Sequence, residues 1–430
     1  MFSCFRTLLL FSITLLGAPA ICQERHITKP EDVGVSSERV VELSEYMRSL
    51  VDDGKIAGGV TMMARHGKIV HLEAVGMADR EAKKPMTTDA IFRIASMTKP
   101  IISVGIMILW EEDKLGLDDP VSDYIPEFKN PQVLVSVDPL VTRPAAREIT
   151  IRHLLTHTSG LGYTDTKRIG PIYKSRGIRG GFGEVTEEPL EQMIRRLAEL
   201  PILFDPGTDW TYGLSTDVLG RVIEVASEMP LDRFIDEKIC QPLQMTDTFF
   251  KIPREKRDRL VAAYHMNDKE LIRLLDGQSL PTGQRPDYPY NASHRYFSGG
   301  GGLCSTAEDY MRFCQMLLNG GELGGIRLLQ ESTLEMMIKE QTGDGFALDP
   351  KKLLGLADTF GFGLAAYGEQ HPRAKLRGAY AWFGFWNTSF RVSPKGDWVL
   401  VTMTQSPWDN NLTPKWFAEY ERLAAEAVAD

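Results

Sequence analysis

Cysteine is scarce in this sequence and is never paired in a useful spacing. Its five cysteines, Cys4, Cys22, Cys240, Cys304 and Cys314, form no C-x-x-C unit. Neither a zinc site nor a disulfide framework is indicated. The four beyond Cys4 are expected as buried apolar filler, with a single disulfide left open. A cationic surplus is also missing. Lys and Arg number 49 against 58 Asp and Glu, a net charge of −9, so a nucleic-acid partner is not expected. Beyond the first twenty residues no apolar run is long enough to span a bilayer. Gly299 to Gly302 lacks the Lys-Ser/Thr of a phosphate loop; a tight backbone approach is the better account. Ser159 in HTSGL is not a G-x-S-x-G elbow, because His157 holds the first Gly position, and no such elbow occurs elsewhere. His153 and His157 are four apart, but no H-E-x-x-H or third ligand accompanies them, so neither metal nor cofactor is expected. Internal repeats and low-complexity tracts are absent.

What is present is an ordinary core-forming composition, 43% hydrophobic and 25% charged. Residues 1–20 read as an export signal. Arg6 is the positive start, Thr7 to Leu16 a short apolar run, and Ala18-Pro19-Ala20 the small-residue cleavage site. Ile21 is too bulky for Cys22 to mark a lipoprotein. The expectation is therefore a periplasmic or secreted protein with no stable membrane span after removal of the signal. Residues 30–430 read as one domain. ERVVELSEYMRSLVDDG has helical spacing and stops at Gly54. GGVTMMARHGKIVHLEAVG reads as two strands around His66-Gly67, with alternation imperfect enough to suggest burial on both faces. A mostly helical stretch follows, roughly 89–290, including the all-round apolar ISVGIMILW, STDVLGRVIEVASEM and LDRFIDEKICQPL, with a long loop from Tyr163 to Gly183. FGFGLAAYG, YAWFGFWNTSFRVSP and DWVLVTMTQ are strand-like, and PKWFAEYERLAAEAVAD is a closing helix. The fold class is α+β: an antiparallel sheet built from both ends of the chain, flanked by terminal helices, with a helical lobe inserted.

Three segments carry chemistry. Ser96 and Lys99 in SMTK precede an apolar helix, and Pro100 tolerates only its first turn. The spacing of three puts both side chains on one face at a helix start. There an amine kept neutral can take the serine proton. Tyr212 in WTYGLS lies before the next helix and could shuttle a proton. Trp382, Phe383 and Gly384 lie on a strand where Gly384 admits close approach, and an edge-facing backbone N–H there could meet an oxyanion. Lys167, Arg168, Lys174, Arg176 and Arg179 make the 164–183 loop basic. It is read as a solvated surface, or alternatively as a rim drawing anionic substrates.

RIASMTKP, TIRHLLTHTSGLGY, WTYGLSTDVLG, YFSGGGGLCSTAEDYMRF and YAWFGFWNTSFRVSP occur in this order. The series resembles the serine β-lactamase-like family, which includes class C β-lactamases, D-alanyl-D-alanine carboxypeptidases and the family VIII carboxylesterases. It covers the chain from about Val35 to its end. The resemblance implies Ser96 as nucleophile, Lys99 as its activating amine, Tyr212 as proton shuttle, and Trp382, Phe383 and Gly384 as the substrate-binding strand motif. It also implies an oxyanion hole from the backbone N–H groups of Ser96 and Phe385. Two departures bear on substrate. Leu214 stands where class C enzymes have the Asn of Tyr-x-Asn, and Trp382-Phe383-Gly384 stands for Lys-Thr-Gly. Loss of that lysine removes a cation for a β-lactam carboxylate. The family VIII pattern of Trp-Gly-Gly is nearer, although Phe383 departs from it. The expected partner is a small-molecule ester or amide, and the expected reaction is ester hydrolysis through an acyl-enzyme. The alternatives are β-lactamase or D-Ala-D-Ala peptidase action, or a silent binding homologue.

Overall fold

The computed structural model describes residues 27–180, 183–267, 270–342, 358–407, 409 and 413–429. The segment expected to direct export, with Cys4 and Cys22, lies outside them. The first helix, Ser37–Asp52, starts where the Ser36 side chain accepts from the Arg39 N–H, and the chain leaves it through Gly54 at φ +67°. Leu43, Met47 and Leu50 form its buried stripe. Strand Gly58–Arg65 then turns into Lys68–Asp79 through His66 and Gly67, both at positive φ, as a two-residue hairpin requires. Gly58 through Ala64 are all buried, which accounts for the imperfect alternation: this strand is covered on both faces.

Its other neighbour comes from the far end of the chain. Val60 pairs with Met403 and Met62 with Val401 in the strand Trp398–Thr404. The antiparallel sheet runs, in spatial order, Thr359–Phe360, Ala365–Ala366, Tyr380–Gly384, Thr388–Ser393, Trp398–Thr404, Gly58–Arg65, Lys68–Asp79, Lys84–Pro85. Successive residues face different cores. Met63 and Leu400 join Leu43, Met47, Trp416 and Phe417 beneath the two terminal helices, Ser37–Asp52 and Thr413–Ala427. Met62, Val399 and Val401 face the main core with the helix Ala307–Leu318. The α+β architecture is thus the one read from the pattern.

The lobe surrounds the helix Thr98–Glu111, in which every residue from Thr98 to Leu109 is buried, and which packs on the helix Ser215–Ser227. Here several local readings need correction. The 163–183 loop contains a short helix, Gly170–Ser175. LDRFIDEKICQPL is α-helical only over Leu231–Ile235 and then widens into a π-type turn at Asp236–Cys240. FGFGLAAYG supplies two two-residue strands instead of one. The lobe also holds small antiparallel pairings, of 132–136 with 141–144 and of 264–267 with 270–273. These are pieces too short for periodicity to register. Cys240, Cys304 and Cys314 are buried and free. No helix among the described residues is long and apolar enough to cross a membrane.

Candidate active site

A short pairing of Phe92–Arg93 with Cys304–Ser305 brings the glycine run at 299–302 beside the start of the buried helix. Arg93, itself buried, locks this corner by donating to the carbonyls of Val261 and Pro286, each at 2.9 Å through Nη1 and Nε respectively. The next turn is tight. Ala95 sits at φ +43°, a left-handed conformation that an L-residue adopts only under constraint. A 3-10 turn over Ala95–Met97 leads directly into the helix at Thr98. Ser96 therefore precedes the α-helix proper by one short turn, where backbone N–H groups have no intrahelical partner. It is 6% exposed, and Lys99 is 1% exposed.

Lys99 Nζ lies 3.2 Å from Ser96 Oγ, 3.0 Å from Tyr163 Oη and 2.6 Å from the Gly300 carbonyl. A carbonyl can only accept, so one N–H is committed to Gly300. An ammonium would donate to all three. A neutral amine would donate to Gly300 and Tyr163 and turn its lone pair on the serine hydroxyl, the arrangement a general base requires. The same Nζ stands 4.7 Å from the ring centroid of Tyr212. Lys99 thus meets the hydroxyl of Tyr163 but the face of Tyr212. The two rings pack edge to face at 5.4 Å, and the buried Tyr212 hydroxyl makes no hydrogen bond of ordinary geometry. Burial, followed by the nearby Tyr212 and Asp217, pushes the Tyr163 phenol well above its usual range.

The strand residues divide their tasks. Trp382 is buried and packs edge to face on Tyr212 at 5.7 Å and on Phe360 at 5.4 Å, so it forms the wall behind the phenols. Phe383, half-buried, packs against both the main core and the cluster under the terminal helices. Gly384 has a steric requirement: a Cβ there would collide with the Ile94 carbonyl and Thr388 Oγ1. Its absence lets the strand end lie against the Ser96 turn, and Thr388 Oγ1 donates to Ile94 O at 3.2 Å. Phe385 follows and packs with Ala95 and Trp386, which sets the segment bearing its N–H next to the segment bearing Ser96.

Tyr163 and Asp217 lie inside HTSGLGY and STDVLG, where no local spacing marks them as neighbours of Lys99. Gly300 lies in the run expected to permit a tight backbone approach, which fits, since a Cβ on it would collide with Asp217 Oδ2. Burial pushes the Asp217 carboxyl up to about 6, against hydrogen bonds and the Lys99 charge that pull it down. The His pair separates. His153 Nδ1 accepts from the Thr150 N–H in a helix capping box. His157 is buried among Trp210, Tyr212 and Phe360, and burial holds it neutral. Among the described residues no group of three or more His, Cys, Asp or Glu could hold a metal ion. In the basic loop, Arg179 pairs with Glu184 at 3.3 Å and Glu188 at 3.8 Å, and Arg168 donates to the carbonyls of Leu134 and Val135. Two of its five cations are thus already engaged.

The Beta-lactamase family matches residues 43–419. Esterase EstB of Burkholderia gladioli is 37% identical over 299 residues, covering 68% of this chain and 72% of that one. Acyltransferase mokF of Monascus pilosus is 30% identical over 324 residues, 72% of each chain. Among solved structures, EstCE1, described as a hydrolase with promiscuous acyltransferase activity, superposes with a TM-score of 0.77 at 31% identity, covering 91% of this chain and 99% of that one.

Proposed function

The chain belongs to the beta-lactamase family and is a serine hydrolase, and we propose that it cleaves small carboxylic esters with Ser96 as nucleophile. The carrying observation is the 3.2 Å approach of the Lys99 amine to Ser96 Oγ at the start of a buried helix. Lys99 takes the Ser96 proton as Oγ bonds to the ester carbonyl carbon. The N–H groups of Ser96 and Phe385 receive the oxyanion. Collapse expels the alkoxide, which takes a proton from Tyr212, and the Lys99 ammonium restores that proton and becomes neutral again; water then attacks the acyl carbon as it gives a proton to the same amine, and that proton returns to Ser96 Oγ as the acid leaves. The identity to EstB supports the ester as substrate. So does the strand, because Trp382 offers an aromatic wall where a β-lactam carboxylate would need a cation. An alcohol could replace water as acyl acceptor, a reading favoured by the likeness to EstCE1 and mokF. We also place the protein outside the cytoplasm, on the strength of the apolar stretch Thr7–Leu16 and the small residues after it.

The test is intact-mass spectrometry after a fluorophosphonate, with p-nitrophenyl butyrate and nitrocefin turnover measured in parallel. One adduct on Ser96, faster turnover of the butyrate than of nitrocefin, and a loss of at least about 1,000-fold in Ser96→Ala are expected. An adduct persisting in Ser96→Ala would overturn the assignment. Faster nitrocefin turnover would overturn the ester preference.

A further inference from the structure

Proton uptake by Lys99, only 1% exposed, creates a charge in a place nearly closed to solvent. An ammonium alone in such a site costs several kcal/mol. Something buried must balance it, and the helix Ser215–Ser227 supplies Asp217, which has no exposed surface. Its Oδ1 accepts from Ser298 Oγ at 2.7 Å and from Tyr296 Oη at 3.0 Å. Its Oδ2, buried and without a hydrogen bond of ordinary geometry, lies against the Gly300 backbone. The carbonyl of that same Gly300 holds Lys99 Nζ at 2.6 Å. One carboxylate thus ties down the strap Tyr296–Gly300 by two side chains, and the strap in turn holds the amine.

We propose that Asp217 is a positioning residue for Lys99, fixing the Gly300 carbonyl on the amine and supplying the negative charge that balances the ammonium formed when Ser96 is deprotonated. This rests on the reading of Ser96 and Lys99 given above. The balance is simple: the proton passes from Ser96 Oγ to Lys99 Nζ, and Asp217 stays ionised throughout. The groups around the carboxylate and the amine are few. Lys99 comes from the nucleophile helix, Tyr163 and Asp165 from the loop that follows the short helix Ile151–Leu155, and His157 and Tyr212 from the aromatic wall. Tyr296, Ser298 and Gly300 come from the strap. Burial keeps His157 neutral, so it does not supply a competing charge. Burial places the Asp217 ionisation near 6, while the Ser298 hydroxyl, Lys99, the Tyr296 hydroxyl and the Gly300 amide favour its charged form. Activity therefore rises with pH as this acid loses its proton.

The experiment is a kcat and KM profile from pH 4.5 to 9 on p-nitrophenyl butyrate for the wild type, Asp217→Asn and Ser298→Ala. Wild type should show an acid limb near 6. Asp217→Asn keeps an acceptor oxygen for Tyr296 and Ser298 but lacks the charge. It should lose that limb, with kcat down about 10- to 100-fold, part of what positioned acid–base catalysis contributes, and KM little changed. Ser298→Ala removes a bond that lowers the Asp217 pKa, so its limb should move upward by about one pH unit. A limb in Asp217→Asn identical to wild type, at any kcat, overturns the proposal. So does an unmoved limb in Ser298→Ala, which decides the matter even where Asp217→Asn does not fold. A wild type that never forms a Ser96 adduct overturns the nucleophile assignment itself. A Ser96 adduct together with an unaltered variant limb overturns only the role of Asp217.

Discussion

Lys99 has two phenols within reach, and they do not touch it in the same way. Its Nζ donates to the Tyr163 hydroxyl at 3.0 Å, whereas Tyr212 presents a ring face to it. If Tyr163 holds the amine and Tyr212 protonates the leaving group, the two Tyr→Phe variants should separate by substrate. Tyr212→Phe should cost about 100-fold in kcat on an ethyl ester, within the range for a lost general acid, and far less on a p-nitrophenyl ester, whose leaving group needs no proton. Tyr163→Phe should slow both alike. Equal losses for the two variants on both esters would refute this division of labour. A second residue-scale expectation concerns Asp309. Burial raises its carboxyl to about 6 from 3.8. The folded state then holds a proton that the unfolded state has already released, so stability contributed by the neutral acid is present below about 4 and lost as pH rises to about 6. The thermal melting temperature of Asp309→Asn should therefore fall less over that interval than that of wild type. Superimposable shifts would count against it.

At the scale of elements, the site depends on segments that must lie closer than side chains allow. Gly384 lies close against Ile94, and the added methyl of Gly384→Ala meets backbone, which cannot swing away. The variant should lose about 1–3 kcal/mol in urea unfolding, as overpacked positions do. Its kcat/KM should fall at least about tenfold, because the Phe385 segment is pushed off the Ser96 turn. Full activity in a folded Gly384→Ala would disprove that dependence. The long helices and the hairpin at His66-Gly67 were legible because their signals are local. Ser36 caps three residues ahead, and two left-handed residues close a two-residue turn. The strands of two residues at 359–360 and 365–366, and the helix of six inside the basic loop, were not. They are held by neighbours, not by their own periodicity.

Across the whole molecule, the sheet is closed by strands from opposite ends of the chain, and the two terminal helices cover its far face. Stability and chemistry are therefore separable in space. Leu43, with no exposed surface, sits in the far cluster with Met47, Trp398 and Leu400. Leu43→Ala should cost about 2–5 kcal/mol in denaturant unfolding, the usual range for an emptied core leucine. The kcat/KM of the folded fraction should stay within about twofold. A large activity loss at temperatures where the variant remains folded would show that the two faces are coupled. By itself the sequence determined the α+β arrangement and the Ser96–Lys99 pair, because helix caps, turn residues and a spacing of three act between residues a few positions apart. Only the tertiary structure decided which groups meet that pair. Tyr163 lies 64 residues from Lys99 and Gly300 lies 201, and Asp217 reaches it through the strap. Contacts over such separations are fixed by how distant segments pack, and no local pattern encodes them.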